Sequence, residues 1–502
     1  MKIFLLAALA ALFTSAPALH AQPAKRILVT DHGALADGTT VNTKALQAAI
    51  DRAAASGGGT LVIPKGTFLS GALYFKQGVN LHVEKDGVLK STTNIEDFPA
   101  IYTRWEGIER YWTSAFLNFV GMKDVSVTGE GTIDGSGDAW SNFGQSARGG
   151  RGQGAAGGAQ AQKQGARGDQ PAAPAPATDA TPAGAVAPTL PKPADVYPSP
   201  LPMTAAIHLA PDRTKTPIIN AAGVALPRGG GGGAGASTIS INTPPRAVVF
   251  QHCSNVRVSG LKLKNQARWG WTFIYSENVV AEKLDIRAEH YIPSSDGMDV
   301  DSCRKVLISE CFIDVNDDCI SLKSGKDEDG LRVARPCEDV IIEKVHFAYG
   351  HGGAAMGSET SGGIRNVEVR DCIVDSDNWA PVRFKSQPSR SGVVENITYR
   401  NIELRGARQV FDFNMAWRMV PPIAPPAKVL PVVRNVKIIN LHGKATTVGL
   451  IRGLPDSFID GIVFENCSVT AERGLTIEHA RNLKLDGLKI IVPEGVQPVT
   501  VR

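Results

Sequence analysis

The chain has 502 residues, of which 43% are hydrophobic, 6% aromatic and 20% charged, and its formal net charge is +4. This length and apolar content allow a large buried core, which excludes chain-wide disorder. So balanced a charge argues against a dedicated nucleic-acid-binding protein, because such proteins carry a basic excess on one face, but it is compatible with an anionic substrate.

The first residues predict an export signal rather than a folded element. A basic start precedes an apolar run from Phe4 to Phe13, and small residues then lead to Ala21. The run is too short to span a bilayer, and no later stretch is long and apolar enough. We therefore expect residues 1–21 to be a signal peptide and residues 22–502 to form a secreted or periplasmic protein without stable membrane insertion.

The next recognisable element is a helix from Thr43 to Ala54, whose apolar residues fall on one face. Asn42 is the candidate N-cap, and Gly57 to Gly59 end the helix. We expect this helix to cover the open end of the repeats that follow, because terminal repeats need protection against edge-to-edge pairing.

Residues 145–237 form a Gly/Ala/Pro-rich stretch that does not have the composition of a globular domain. Such a stretch buries too little apolar surface to offset the entropy cost of ordering it. Because the same sequence pattern recurs on both sides, we interpret it as a disordered insertion within one domain.

A short repeat runs along the chain, as in DVSVTGEGTID from Asp124, NVRVSGLKLKN from Asn255 and NLKLDGLKIIV from Asn482. Each unit alternates apolar and polar residues, bends at a small polar corner and alternates again, which predicts two short strands joined by a sharp turn. The units recur every 20 to 40 residues or so after Asn255, roughly one coil of a solenoid. We therefore predict an all-β, single-domain, right-handed parallel β-helix, whose hand follows the crossover rule for parallel strands.

The seven cysteines are too few for a disulfide scaffold, and their spacing does not indicate zinc. Four lie in strand-like surroundings and are expected to be buried thiols, namely Cys303, Cys311, Cys372 and Cys467. Cys319 and Cys337 flank a loop, and the sequence does not decide whether they form a disulfide.

The densest group of unusual polar residues begins with Asp296 and the adjacent pair Asp317 and Asp318, about one coil later. Carboxylates on neighbouring coils suit acid–base chemistry at a glycosidic bond, and inverting hydrolysis uses carboxyl groups roughly 6.5–9.5 Å apart. Crowding also raises a carboxyl pKa, which keeps one group protonated. Residues adjacent on a strand point to opposite faces, so both members of the pair reach one cleft only at a bend.

His351 follows within Gly-His-Gly-Gly, and Arg383 and Lys385 lie two apart on a predicted strand. Two cations on one face make a clamp suited to a carboxylate or a phosphate. Each motif alone is common in turns or on surfaces, whereas their order along successive coils indicates a site. Calcium is an alternative for the acidic runs at 327–329 and 299–301, although neither matches an EF-hand loop.

These motifs resemble those of glycoside hydrolase family 28, the polygalacturonase family. Its Asn-Thr-Asp appears here as Ser294-Ser295-Asp296, its Asp-Asp as Asp317-Asp318, its Gly-His-Gly as Gly350-His351-Gly352 and its Arg-Ile-Lys as Arg383-Phe384-Lys385. The similarity covers nearly the whole mature chain outside the insertion. It implies a right-handed parallel β-helix and hydrolysis with inversion at the anomeric carbon, with no metal or other cofactor.

By this resemblance Asp317 is the general acid, and Asp296 and Asp318 position and deprotonate the water. His351 supports the ionisation state of the acid. The two serines before Asp296 replace an amide that orders the substrate or the carboxylate, whereas Phe384 in place of Ile is expected to point into the core.

The resemblance also implies that Arg383 and Lys385 hold the galacturonate carboxylate. Segments around Arg104, Trp105 and Glu359 are similar to segments of bacterial, often exo-acting, members, which makes these residues further cleft candidates. Candidates for stacking on sugar rings, with a core position as the alternative, are Trp269, Trp271 and Trp417.

Together with this resemblance, the sequence therefore predicts a secreted polygalacturonase that cleaves α-linked galacturonic acid in an anionic polysaccharide such as pectin or polygalacturonate. The weaker similarity to exo-acting members favours attack from a chain end, and the sequence by itself leaves endo and exo action open. The alternatives are a rhamnogalacturonan-specific galacturonohydrolase, a calcium-dependent pectate-type lyase and a non-catalytic sugar-binding β-helix. The sequence leaves the oligomeric state open.

Overall fold

The structure is a computed structural model that describes residues 25–141, 243–375, 378–417 and 424–502. The expected signal peptide at 1–21 and the expected insertion at 145–237 lie outside the described residues. Within the described ranges, no helix combines the length and the apolar content needed to cross a membrane.

Successive coils of short strands build a right-handed parallel β-helix, as predicted. The strands stack in three sheets, here called the first, second and third sheet in the order in which each coil visits them. Along most strands alternate residues point inward, where they form one continuous apolar core that runs through the stack.

The first sheet contains Arg26–Leu28, Gly59–Ile63, Val79–Val83, Lys123–Gly129, Ser254–Ser259, Glu277–Glu282, Arg304–Ser309, Cys337–Glu343, Ile459–Glu465 and Ala480–Arg481. The second contains Asp37–Val41, Gly66–Ser70, Gly87–Ser91, Thr132–Asp134, Lys262–Lys264, Asp285–Arg287, Phe312–Asp314, His346–Tyr349 and Leu488–Ile491. The third contains Leu73–Tyr74, Leu117–Val120, Val248–Gln251, Trp271–Ile274, Met298–Asp301, Ile320–Lys323, Gly352–Met356, Ala380–Lys385, Gln409–Asn414 and Val499–Val501. Four long strands turn corners between sheets, namely Ile364–Val374, Val393–Leu404, Val432–Arg452 and Cys467–Glu478.

The repeated unit begins, on most coils, at a residue in the left-handed region. Its φ lies between 52° and 57° at Asp124, Asn255, Asn278, Lys305, Asp339, Asn366, Asn396 and Asn435. Asn and Asp tolerate this region better than other residues with a Cβ atom. Their side chains also bond from coil to coil, as where the Asn255 amide donates to Asp124 at 2.7 Å and the Asn278 amide donates to Asn255 at 3.0 Å.

A column of alternating charge follows the outer face of the first sheet. In register on successive coils stand Glu277, Arg304, Glu338, Arg365, Glu395, Arg434, Asp460 and Arg481. Neighbours form ion pairs, such as Arg365 with Glu338 at 2.6 Å and Arg434 with Glu395 at 2.7 Å. Because they are exposed, these ion pairs contribute little to the stability of the fold. Their main effect is on the specificity of strand pairing.

The helix Thr43–Ala55 packs its apolar face on the first coils, as predicted. Asn42 occupies the N-cap position, but its side chain does not cap the helix. It instead accepts from the Leu35 N–H at 2.7 Å and donates to the Leu35 and Thr40 carbonyls, because the preceding loop leaves those groups unpaired. The other helices are short: Gly137–Trp140 and Asp327–Val333, with 3₁₀ turns at Val29–His32 and Ile95–Asp97.

An antiparallel hairpin, Ala100–Trp105 with Ile108–Thr113, lies on the outer face of the third sheet. Buried ion pairs anchor it: Arg104 with Asp301 at 3.1 Å, and Arg332 with Glu109 at 2.6 Å. The hairpin is not part of the repeat. It contacts the third to fifth strands of this sheet, through Gln251, Tyr275 and Asp301.

All seven cysteines are buried free thiols. The four expected to be buried are so, and Cys319 and Cys337 do not form a disulfide.

Candidate active site

The site lies along the third sheet, because its outward positions carry polar residues on successive coils. In one register column stand Asp299, Ser321, Ala355, Arg383 and Asp412. The loops that enter these strands bring further groups to the same face. The resulting cleft is lined by Glu106, Trp269, Ser294, Asp296, Asp317, Asp318, Lys323, His351, Ser358, Glu359, Trp379, Arg383, Lys385 and Trp417.

Three carboxylates meet in this cleft. Asp296 enters the strand Met298–Asp301, and Asp317 and Asp318 lie in the bend before Ile320–Lys323. One oxygen from each lies within 4.8 Å of the others. Both members of the adjacent pair reach the cleft because the backbone there is not a strand.

The carboxylate spacing differs from the expectation. The nearest oxygens are closer than the roughly 6.5–9.5 Å that separates carboxyl groups in most inverting enzymes. Neighbouring coils are only about 4.8 Å apart, so side chains that face one cleft from adjacent coils start close together. Distance alone therefore does not assign the stereochemistry of the reaction.

The three carboxyl groups have different electrostatic surroundings. Burial, together with nearby Asp299 and Asp317, raises the pKa of Asp296 well above its usual value. Burial would also raise the pKa of Asp317, but the hydrogen bond and charge of His351 outweigh it and bring that pKa below its usual value. The His351 Nδ1 lies 3.3 Å from the Asp317 carboxylate.

The predicted cationic clamp faces Asp318. Arg383 lies 3.2 Å from the Asp318 carboxylate and 3.2 Å from Asp412, and Lys385 pairs with the other Asp318 oxygen. Arg383 and Lys385 have five and three donors respectively, so each keeps donors for a further anion. The same pairing neutralises Asp318, which makes the carboxylate cluster a poor fit for a metal ion.

A second ionic group lies beside the first. The Lys323 ammonium is 3.1 Å from Glu359, 3.6 Å from Asp299 and 4.6 Å from the centre of the Trp269 ring. Burial raises the pKa of Glu359, but Lys323 and Arg390 outweigh it and bring that pKa to about 2. Burial raises the pKa of Asp299 to about 8.

The hairpin closes one end of the cleft. Its tip residue Glu106 lines the cleft beside Trp269, and the Lys326 N–H donates to the Gly107 carbonyl at 3.0 Å. On earlier coils the hairpin covers the third sheet, where Arg246 donates to the Arg104 carbonyl at 3.0 Å. Apart from the hairpin tip residue Glu106, the residues that line the cleft run from Trp269 to Trp417, on the later coils.

Most predicted site residues come together here: Asp296, Asp317, Asp318, His351, Glu359, Arg383, Lys385, Trp269 and Trp417 all line the cleft. Phe384 is buried in the core, as expected.

One sequence-based expectation is wrong, and the structure bears on two alternatives that the sequence left open. Arg104 is not a cleft residue, because it points from the hairpin onto the third sheet and is buried against Asp301 and Ser302. Trp271 points inward and is fully buried in the core, so it cannot stack on a sugar. In the acidic runs weighed for calcium, three carboxylates pair with arginines instead: Asp327 with Arg390, Asp329 with Arg332 and Asp301 with Arg104.

Sequence reasoning missed Lys323, Glu106 and Trp379. For Lys323 a signal was present, because it lies two residues after Ser321 on a strand that follows the Asp pair and therefore shares its outward face. Glu106 and Trp379 lie in a hairpin tip and a loop, where no periodicity applies.

Comparison with known families gives two matches. The family described as "Glycosyl hydrolases family 28" matches residues 218–488, which is more than half of the chain. A second family, described as "Rhamnogalacturonase A/epimerase, pectate lyase-like", matches residues 27–131.

Individual relatives are distant in sequence. A "Probable polygalacturonase" of Vitis vinifera is 23% identical over 452 residues, covering 88% of this chain and 73% of that protein. An "Exo-poly-alpha-D-galacturonosidase" of Dickeya chrysanthemi is 24% identical over 396 residues, covering 76% of this chain and 55% of that protein. The solved exopolygalacturonase of Thermotoga maritima superposes with a TM-score of 0.66 at 25% identity, covering 95% of this chain and 92% of that one.

Proposed function

Because this chain belongs to the glycosyl hydrolases family 28, we propose that its cleft hydrolyses α-linked galacturonic acid in pectin, acting from a chain end. The observation that carries the proposal is the meeting of three carboxylates with the cations Arg383 and Lys385 in one cleft. Carboxylates supply acid and base, and the cations recognise the acidic sugar.

In the proposed mechanism Asp317 protonates the leaving oxygen. Its pKa is low in the empty cleft because of His351, but a bound galacturonate adds negative charge and displaces water, and both effects raise a carboxyl pKa. Asp318, paired with two cations, acts as base toward the water, and Asp296 orients that water. The reaction is a single displacement with inversion.

Attack from a chain end is supported by the similarity to exo-acting proteins and by the hairpin tip, whose Glu106 lines the cleft beside Trp269. We further propose that the protein is exported, on the strength of residues 1–21.

The experiment is product analysis with EDTA present, on polygalacturonate and separately on rhamnogalacturonan oligosaccharides. We expect saturated monogalacturonate from polygalacturonate, with an inverted anomer seen by NMR in the first minutes. Asp317→Asn should lower kcat by about 10³-fold or more, because an amide cannot protonate the leaving oxygen.

A rhamnogalacturonan backbone is the second candidate substrate, favoured by the match at 27–131 and by the serines before Asp296. Product from rhamnogalacturonan alone would select it. Unsaturated products that form only after calcium is restored would instead contradict the hydrolase.

A further inference from the structure

Trp379 is an exposed aromatic residue inside the cleft, and its backbone is hydrogen-bonded on both sides. Its N–H donates to the Gly350 carbonyl at 2.8 Å, and its carbonyl accepts from the Gln409 N–H at 2.8 Å. Its side chain is nevertheless 42% exposed, and the ring centre lies 6.4 Å from that of His351. Among the exposed large hydrophobic residues of the described chain, Trp379 is the one that lines the cleft.

Arg408 covers this ring from the next coil. Its guanidinium carbon lies 5.5 Å from the centre of the Trp379 ring. No carboxylate within the described ranges lies within salt-bridge distance of Arg408, whereas its neighbour Arg405 pairs with Glu403 at 3.0 Å and with Asp375. The cleft cations Lys323, Arg383 and Lys385 are likewise paired with carboxylates. Among the described residues, Arg408 is therefore an exposed cation of the cleft rim without a carboxylate partner.

These two residues extend the line of the site. The residues that enter successive strands of the third sheet are, in coil order, Trp269, Asp296, Asp317, His351, Trp379 and Arg408. Coils are about 4.8 Å apart, so Arg408 lies roughly 14 Å beyond Asp317 along the stack. Trp379 lines the cleft and the Arg408 guanidinium lies over its ring, so a polymer that extends toward later coils passes Trp379 and Arg408.

We propose that Trp379 and Arg408 form a separate sugar-binding subsite for a galacturonate unit on the leaving-group side of the cleaved bond. The Trp379 ring stacks on the sugar, and the Arg408 guanidinium binds its carboxylate. This inference rests on the proposed function, because it assumes that the cleft binds a galacturonate polymer.

The test compares the steady-state kinetics of Arg408→Gln with those of Arg405→Gln, a matched control that removes an already neutralised arginine nearby. The substrates are saturated digalacturonate and tetragalacturonate. We expect Arg408→Gln to raise KM for the tetramer about tenfold with a much smaller change in kcat, and to raise KM less for the dimer. Arg408→Lys should recover part of the loss, and Trp379→Ala should give the same dependence on length.

A second readout does not need turnover. Tetragalacturonate is titrated into Asp317→Asn and into Asp317→Asn/Arg408→Gln by calorimetry, with circular dichroism to verify folding. We expect about tenfold weaker binding in the double variant, and a smaller loss at high salt, where the ion pair is screened. Binding without hydrolysis by the wild-type chain would overturn the hydrolase and leave the subsite standing. Equal effects of Arg408→Gln and Arg405→Gln, or equal losses on dimer and tetramer, would overturn the subsite.

Discussion

At the residue scale, Asp299 is a poorly compensated buried carboxyl group of the site. It points outward from the third sheet but is fully buried, and neither of its oxygens has a hydrogen-bond partner within the described ranges. The nearest cation, Lys323, is closer to Glu359 than to Asp299. With burial and the charges of Asp318 and Glu359 raising its pKa to about 8, Asp299 holds a proton at neutral pH.

The protonation of Asp299 leads to a prediction of how the stability of the folded protein depends on pH. An unfolded chain releases it at its ordinary pKa near 3.8, so between about pH 4 and pH 8 the folded state binds the extra proton and wild-type stability falls as pH rises. Asp299→Asn has no proton to lose and should lack this decline. We expect its stability relative to wild type to improve by more than about 1 kcal/mol from pH 4 to pH 8, measured by chemical denaturation.

The control for this prediction is Asp285→Asn, which removes a carboxylate from the outer face of the second sheet. If Asp299→Asn and wild type followed parallel stability curves across this pH range, Asp299 would be ionised in the folded protein.

At the scale of elements, the hairpin depends on buried charge rather than on apolar packing alone. Arg104 and Asp301 are both almost fully buried and pair with each other at 3.1 Å. Arg104→Met leaves Asp301 as a buried unpaired charge, which costs about 3–5 kcal/mol. Thermal unfolding should show this loss, and Arg104→Met/Asp301→Leu should recover most of it. An additive loss in the double variant would mean that the pair itself is not what anchors the hairpin.

The corner at the start of the repeat offers a stabilising change. Lys305 adopts φ 55° at a position where most other coils have Asn or Asp, and it lies between Asn278 and Asp339. Lys305→Asn should stabilise the protein by about 1 kcal/mol, because Asn accepts the left-handed region and can join the side-chain ladder. Denaturant unfolding measures this gain.

The matched variant is Lys283→Asn, at another corner with φ 55° but between Gly260 and Glu310, which do not continue such a ladder. A smaller gain there is expected. Equal gains would assign the whole effect to backbone conformation and none to the ladder.

At the scale of the whole molecule, most of the fold was predictable because each coil repeats the same local rules. Alternation predicted the strands, and the recurring Asn or Asp at the start of each unit, as at Asn255 and Asn366, marks a corner that the structure places in the left-handed region. The helix Thr43–Ala55 followed from its own periodicity. The hydrogen bonds of the Asn42 side chain did not follow from that periodicity, since its partners belong to the preceding loop.

For the site, the length of a coil predicted which residues lie on neighbouring coils, but not how close their side chains come. Sequence distance placed Asp296 and Asp317 on neighbouring coils, but the spacing of their side chains depends on loop conformation. Arg104 was misplaced for a related reason, because the hairpin folds back on coils far from it in sequence. Trp379 and Lys323 could not be recognised from their own sequence positions, because the residues they contact, Arg408 and Glu359, come from other coils.

The alternating charge column of the first sheet has a consequence for how such a chain can change in length. Deleting one coil between Glu277 and Arg481 would place two side chains of the same charge next to each other. Inserting one coil would place its charged side chain next to a neighbour of the same charge on one side. Losing or duplicating two adjacent coils keeps every contact attractive. The charge column therefore favours changes by an even number of coils. We expect insertions and deletions of coils in this region to have occurred in pairs during evolution.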